Sequence, residues 1–290
     1  MLTEAIFAAG CFWGVQAAFD NIPGVLETTV GYIGANIENP TYELVCTSTT
    51  NFAEAVKIRF NPEQITYQNL LNIFFNIHDP TTLNRQGPDI GPQYRSAIFY
   101  LDETQKELAE KAIQELDSSG LIKNKIVTQV VPATTFYPAE EYHQKYFEKH
   151  KGFRTCAATQ HQLVNLSESE WQTRLSPQAY AVLRQKKTEQ PFSGAFLSKT
   201  SNGTFVCGAC GNPVFLNTSK FESGSGWPSF DRAIPGSIRT KTDFSHFMVR
   251  TEVLCARCGS HLGHLFQDGP TQTHHRYCIN SSALQFKTEE

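Results

Sequence analysis

The chain has 290 residues, 40% of them hydrophobic and 18% charged, with a net charge of −3. That length suits two domains of ordinary size, the composition excludes disorder, and the absence of a large basic block leaves nothing to hold nucleic acid. The start, Met1-Leu2-Thr3-Glu4, lacks the basic opening and long apolar stretch of a signal peptide, and no run is long enough to span a membrane. The cytoplasm is therefore the expected compartment, and with no self-complementary apolar face evident, a monomer is the expected state.

In chain order, residues 5–9 are continuously apolar and predict a short buried strand. Directly after it comes Gly10-Cys11-Phe12-Trp13-Gly14, followed by Val15, Ala18 and Phe19 at helical spacing. Cys11 is thus expected where a strand turns into a helix, where free backbone N–H groups and the helix dipole favour the reactive thiolate. A strand is predicted at Ala55-Val56-Lys57-Ile58-Arg59-Phe60. Next comes a helix on Leu70, Leu71, Phe74, Phe75 and Ile77 with Thr66 as its N-cap. A strand over 96–101 precedes Asp102 and Gln105, which resemble a capping box; Leu108, Ala112 and Leu116 continue one helical face, and Gly120 ends it. Residues 126–131 predict a further strand, and 139–149 a helix after Pro138. The order β-α-β-β-α-β with additions suits an α+β fold, a two-layer α/β sandwich with a ferredoxin-like core.

From Thr155 to about Glu170 the periodicity fades and polar residues dominate, so a linker is set at 157–165 between domains at 1–156 and 166–290. The second domain is expected to be mainly antiparallel β. Asn202-Gly203, between Phe196-Leu197 and Thr204-Phe205-Val206, reads as a hairpin turn, and glycine- and proline-rich turns punctuate the rest.

Eight cysteines stand at 11, 46, 156, 207, 210, 255, 258 and 278. In a reducing compartment they suggest metal binding or redox catalysis before structural disulfides. Cys207-Gly208-Ala209-Cys210 and Cys255-Ala256-Arg257-Cys258 are two knuckles able to close a tetrahedral sulfur set around structural zinc; a pair of redox dithiols is the alternative. Cys278 sits in Arg276-Tyr277-Cys278-Ile279-Asn280, downstream of Ser223-Gly224-Ser225-Gly226-Trp227-Pro228-Ser229-Phe230 and of His261-Leu262-Gly263-His264. A thiol, a guanidinium, two imidazoles and an indole suit a site that activates sulfur and holds a small apolar group.

These motifs carry a resemblance. The first half resembles A-type methionine sulfoxide reductases in the Gly-Cys-Phe-Trp-Gly motif, Asn39-Pro40-Thr41-Tyr42-Glu43, Glu54-Ala55-Val56 and Asp89-Ile90-Gly91-Pro92-Gln93-Tyr94-Arg95-Ser96. The second half resembles the B type in the knuckles, the Ser-Gly-Ser-Gly-Trp-Pro-Ser-Phe run, His-Leu-Gly-His and Arg-Tyr-Cys-Ile-Asn. Together they cover nearly the whole chain and imply a bifunctional enzyme, one site for each epimer of the chiral sulfoxide, acting on free methionine sulfoxide or on oxidised proteins.

The resemblance implies Cys11 as nucleophile for the S epimer and Glu54 as proton donor. Tyr42 and Tyr94 are implied as phenol donors with Asp89 supporting them, and Phe12 and Trp13 as the methyl cage. Cys156 resembles the resolving cysteine, though the family often has Gly-Tyr-Cys where this chain has Gly152-Phe153-Arg154-Thr155-Cys156; Cys46 is its rival. Thioredoxin is the implied reductant. For the R epimer Cys278 is the nucleophile and Trp227 the pocket wall. His261 and His264 would orient water or donate to the sulfoxide oxygen, and Arg276 would lower the thiol pKa. Asn280 would position donors, and Asp268 would hold a histidine tautomer. Many B-type enzymes carry a resolving cysteine where this chain has Ser225, so Cys278 depends on an external thiol or on Cys156. Two other readings stay open: a zinc-knuckle interaction module fused to a thiol enzyme, and a general thiol peroxidase. Only Met1 and Met248 are methionines, which fits a life among oxidants.

Overall fold

The computed structural model describes residues 3–20, 22–150, 164, 166–198, 202–245 and 248–288. Cys156 lies outside them. The chain divides into two compact units, Met1–Leu163 and Val164–Glu290.

The first unit runs β1 (Thr3–Ala9), α1 (Phe12–Asp20), β2 (Val25–Ile33), α2 (Tyr42–Cys46), β3 (Ala53–Phe60), α3 (Tyr67–Ile77), β4 (Arg85–Gln86), β5 (Asp89–Ile90), β6 (Ser96–Tyr100), α4 (Glu103–Ser118), β7 (Gln129–Pro132), β8 (Tyr137–Pro138) and α5 (Tyr146–Lys149). Its main sheet has the order β7-β6-β1-β3-β2-β8. The four inner strands β6-β1-β3-β2 are antiparallel neighbours, the split β-α-β arrangement of a ferredoxin-like core. Alternation sorts β1 onto two faces: Ala5, Phe7 and Ala9 pack with Phe19, Leu70 and Phe74 of the helices, while Ile6 and Ala8 pack with Ile33, Ala55 and Phe99. Burial on both faces is why residues 5–9 carry no polar position.

Thr66 caps α3 by accepting from the Asn69 N–H, and Asp102 caps α4 by accepting from the Gln105 N–H. Gln105 returns its side chain to the Leu101 N–H, one residue before the cap, so the reciprocal box is displaced by one position. The strand expected at 126–131 forms later, at Gln129–Pro132. The helix expected over 139–149 shrinks to Tyr146–Lys149. Lys145 turns left-handed at φ 53°, and Gln144 spends its amide on the Val30 N–H and C=O, tying this segment to the β2 edge instead.

The second unit opens with α6 (Glu168–Arg174) and α7 (Pro177–Leu183), then β9 (Gly203–Cys207), β10 (Pro213–Leu216), β11 (Lys220–Phe221), β12 (Ser229–Phe230), β13 (Ile238–Asp243), β14 (Arg250–Cys255), β15 (His261–Phe266), β16 (Arg276–Ile279) and β17 (Leu284–Thr288). Its sheets, β10-β9-β17 and β11-β12-β16-β15-β14-β13, are antiparallel throughout. Ser167-Glu168-Ser169-Glu170, part of the polar stretch where periodicity fades, is a capping box that starts α6. The hairpin expected at Asn202-Gly203 does not form: Phe196-Leu197 is turn and bend, and β9 pairs with β10 and β17. No helix among the described residues is long and apolar enough to cross a membrane.

Candidate active sites

Cys11 follows β1 at the start of α1, its carbonyl accepting from the Gly14 and Val15 N–H groups. The turn requires Gly10, whose φ is +91° and whose missing Cβ space is filled by Gln86 at 2.6 Å. Glu54 on β3 is 2% exposed and accepts the Phe12 N–H at 3.0 Å. A carboxyl group thus occupies the first free N–H of the helix that Cys11 heads.

Phenols close around this pair. Tyr94 ends the 3₁₀ turn Pro92–Tyr94. Its pKa is pushed well above the ordinary phenol value by burial, and further by Glu54, Cys46, Asp89 and Cys11, whose fields converge on its hydroxyl. Burial likewise raises Tyr42, helped by its hydrogen bond to Cys46 and by Glu54. Both phenols therefore stay protonated donors. Asp89, paired with Gln86 in the β4–β5 hairpin, is raised by burial.

Phe12 and Trp13 form an aromatic floor. Phe12 packs against Tyr32 and His143, with centroids 5.9 and 5.2 Å away. Trp13 stacks on Tyr146 at 3.8 Å and 7°, and donates its indole N–H to His143 Nδ1 at 3.0 Å. That bond leaves the ring proton on Nε2. Burial lowers the His143 pKa against the opposing pull of Glu140, keeping the ring neutral. Glu140 accepts from the Tyr42 N–H and from the Tyr32 hydroxyl, each at 2.9 Å, and so joins α2 to β2.

In the second unit, Cys278 on β16 lies between Ser229 of β12 and His264 of β15. It opens onto a cavity of about 120 Å³ walled by Trp227, Arg250, His264, Phe266 and Asn280. Ser225 Oγ stands 3.9 Å from its sulfur. Burial pushes the Cys278 thiol up, and Ser225 and Arg276 offset only part of that. The expected lowering by Arg276 is thus outweighed by desolvation. Asp268 binds Arg276 through two hydrogen bonds of 2.8 Å rather than holding a histidine. The guanidinium lies over Phe266, 4.5 Å from the ring centre.

The histidines take other carboxylates. His264 Nε2 bonds Asp243 at 2.9 Å, and Arg250 reaches the same oxygen at 2.8 Å. His261, 2% exposed, bonds Glu252 through Nδ1 at 2.8 Å, and Lys186 holds the other oxygen of Glu252. Its pKa is lowered by burial. His261 does not line the cavity; its ring stands 5.4 Å from that of His264. The Asn280 amide spans Leu262 C=O and Glu189 N–H, fixing its orientation.

Cys207, Cys210, Cys255 and Cys258 are all buried, with sulfurs within 4.8 Å of one another. The pairs Cys207–Cys258 and Cys210–Cys255 are 3.7 and 3.6 Å apart. Tetrahedral zinc thiolates with Zn–S of about 2.3 Å place sulfurs about 3.8 Å apart. The donor set and its spacing fit a closed metal site.

A family model described as peptide methionine sulfoxide reductase matches residues 3–175, and one described as SelR domain matches residues 175–288. The chain belongs to the peptide methionine sulfoxide reductases. It is 34% identical over 319 residues to the peptide methionine sulfoxide reductase MsrA/MsrB of Vibrio cholerae, covering 98% of this chain and 84% of that one. It is 57% identical over 152 residues to the peptide methionine sulfoxide reductase MsrA of Methanosarcina acetivorans, covering 52% of this chain and 80% of that one. Among solved structures it is similar to reduced Mxr1 of Saccharomyces cerevisiae, with 36% identity, coverage of 57% and 93%, and a TM-score of 0.49. Mxr1 has also been solved in complex with Trx2, at 29% identity, coverage of 50% and 84%, and a TM-score of 0.35.

This methionine sulfoxide reductase therefore joins A and B activities, one for each epimer of the substrate sulfur. Around its first cysteine the fold gathers Glu54, Tyr42, Tyr94, Asp89, Phe12 and Trp13; around its second it gathers Trp227, His264, Asn280 and Arg276. Glu140, His143, Asp243, Glu252 and Glu189 escaped the sequence reading. The dense run Glu140-Glu141-Tyr142-His143-Gln144-Lys145-Tyr146 was a usable signal for the first two. Asp243 and Glu252 had none, because strand pairing alone brings them to their histidines.

Proposed function

We propose that Cys11 reduces the S epimer and Cys278 the R epimer of methionine sulfoxide. The observation that carries this reading is the buried carboxyl of Glu54 on the N–H beside Cys11, ringed by phenols held protonated. Cys11 attacks the sulfoxide sulfur as Glu54 hands a proton to the oxygen, with Tyr42 and Tyr94 donating hydrogen bonds to it. The cysteine sulfur loses two electrons and the substrate sulfur gains them, leaving a sulfenic acid and methionine. Phe12 and Trp13 hold the methyl group, and Asp89 supports the pocket.

At Cys278 the raised thiol must first lose its proton. His264, its Nε2 hydrogen-bonded to Asp243, offers Nδ1 to take that proton and to return it to the departing oxygen. Trp227 walls the methyl slot, Asn280 positions the strand, Arg276, held in place by Asp268, favours the thiolate, and His261 buttresses His264.

Cys156 then attacks the Cys11 sulfenic acid to give a disulfide and water, and thioredoxin reopens it; Cys46 is the alternative resolver. Cys278, facing Ser225, is recycled by an external thiol or by Cys156. Zinc on the four-cysteine cluster is structural, since four protein thiolates leave it no open position. Free thiols suit a cytoplasmic monomer acting on oxidised proteins or free methionine sulfoxide.

Dimedone trapping during one turnover without reductant, in protein carrying Cys46→Ser and Cys156→Ser so that no resolving thiol competes, tests the assignment. The S epimer should label Cys11 and the R epimer Cys278; label on any other cysteine would overturn it.

A further inference from the structure

A second cavity, of about 220 Å³, lies on the loop that carries Trp227, and Trp227 and Gly226 line it. Trp227 also lines the 120 Å³ cavity over Cys278, so the two cavities share that residue. Phe192, Leu197 and Phe221 supply the apolar lining of the second cavity.

A strap built for close approach holds them there. Glu189 C=O accepts the Trp227 indole N–H at 3.2 Å, and the Phe192 N–H reaches Gly226 C=O at 2.8 Å. Gly226 is at φ +90°, with Pro191 Cβ only 2.7 Å from where a Cβ would stand, so no larger residue lets the strap lie so near. The Glu189 carboxylate is fixed by the Ser282 N–H and hydroxyl, at 2.9 and 2.6 Å. Phe192 itself is left-handed, at φ 64°, yet 68% exposed. A bulky side chain in a strained conformation at the edge of a cavity gains nothing from the core and points to a ligand.

We propose that this cavity is a substrate subsite: it takes an apolar side chain of the polypeptide whose methionine sulfoxide occupies the Cys278 cavity. In an extended chain, alternate residues share a face and lie about 6.7 Å apart, so the occupant is the residue two positions from the sulfoxide. The inference rests on the assignment of R-epimer reduction to Cys278.

The test uses the full-length protein and serine-rich heptapeptides with a central (R)-methionine sulfoxide and one phenylalanine at −2, −1, +1 or +2. Phenylalanine at −2 or +2 should raise kcat/KM about tenfold over the all-serine peptide, a gain of the size apolar pockets supply. That ratio should fall below about twofold in Phe192→Gly, which suits the left-handed backbone, and in Leu197→Ala. Equal turnover of all peptides, a gain confined to −1 and +1, or a ratio that survives both substitutions would overturn the subsite alone. Unchanged R-epimer turnover in Cys278→Ser would instead overturn the assignment beneath it.

Discussion

The two reactive cysteines are set in opposite ways. Cys11 stands at the head of a helix, beside a carboxyl and among phenols; Cys278 stands inside an antiparallel sheet, beside imidazole and guanidinium groups. In the first unit the sulfur sits at a helix start, and the carboxyl of Glu54 comes from a neighbouring strand. In the second the neighbours are the ion pairs and hydrogen bonds of strands: His264 with Asp243, and Arg276 with Asp268. Sulfoxide reduction asks for a thiolate, a proton source and an apolar slot, and on the proposed assignment each unit would meet those needs with different elements.

Metal removal should separate the units most sharply. Apparent affinities for structural zinc in zinc-finger peptides, about 10–16 kcal/mol, match or exceed the whole stability of a domain, about 5–15 kcal/mol. Chelation should therefore abolish R-epimer turnover and one calorimetric transition while S-epimer turnover survives. Persistence of both transitions in metal-free protein would remove the structural role.

Next in size, Glu54→Gln should lower kcat for the S epimer about 10²- to 10³-fold, because the amide keeps the hydrogen bond to the Phe12 N–H but has no proton to give. R-epimer turnover should not move; if it fell in parallel, the two sites could not be independent. Asp243→Asn should cost the R reaction about tenfold by freeing His264 to turn, with the S reaction unaffected.

The smallest effect concerns proton affinity. Since burial raises the Cys278 thiol, its thiolate forms only as the pH climbs past the ordinary cysteine value of about 8.5. Iodoacetamide labelling of the Cys278 peptide at pH 8 should be slower than that of a model thiol. Arg276→Ala should slow it further, because the guanidinium favours the charged form. Labelling faster than the model thiol would contradict the account.

Much of this was legible in residue order. The strand 5–9, the caps at Thr66 and Asp102, both cysteine motifs and the two knuckles depend on neighbours a few residues apart, where pattern and propensity speak directly. Long-range pairing decided the rest. The helix expected over 139–149 has the right composition, but Gln144 bonds β2 and Glu140 bonds Tyr32 and Tyr42, and these contacts override local preference. The carboxylate partners of His261 and His264 come from β14 and β13, residues whose sequence settings are ordinary. Ser167 and Glu170 were readable as a cap, yet only their polarity was noted.

The most direct measurement is thiol-dependent turnover of the separated S and R epimers by wild type, Cys11→Ser and Cys278→Ser. Loss of S activity alone in the first variant and of R activity alone in the second is the predicted result. Loss of both activities in either variant would mean a shared site or an obligatory relay, and would contradict two independent centres.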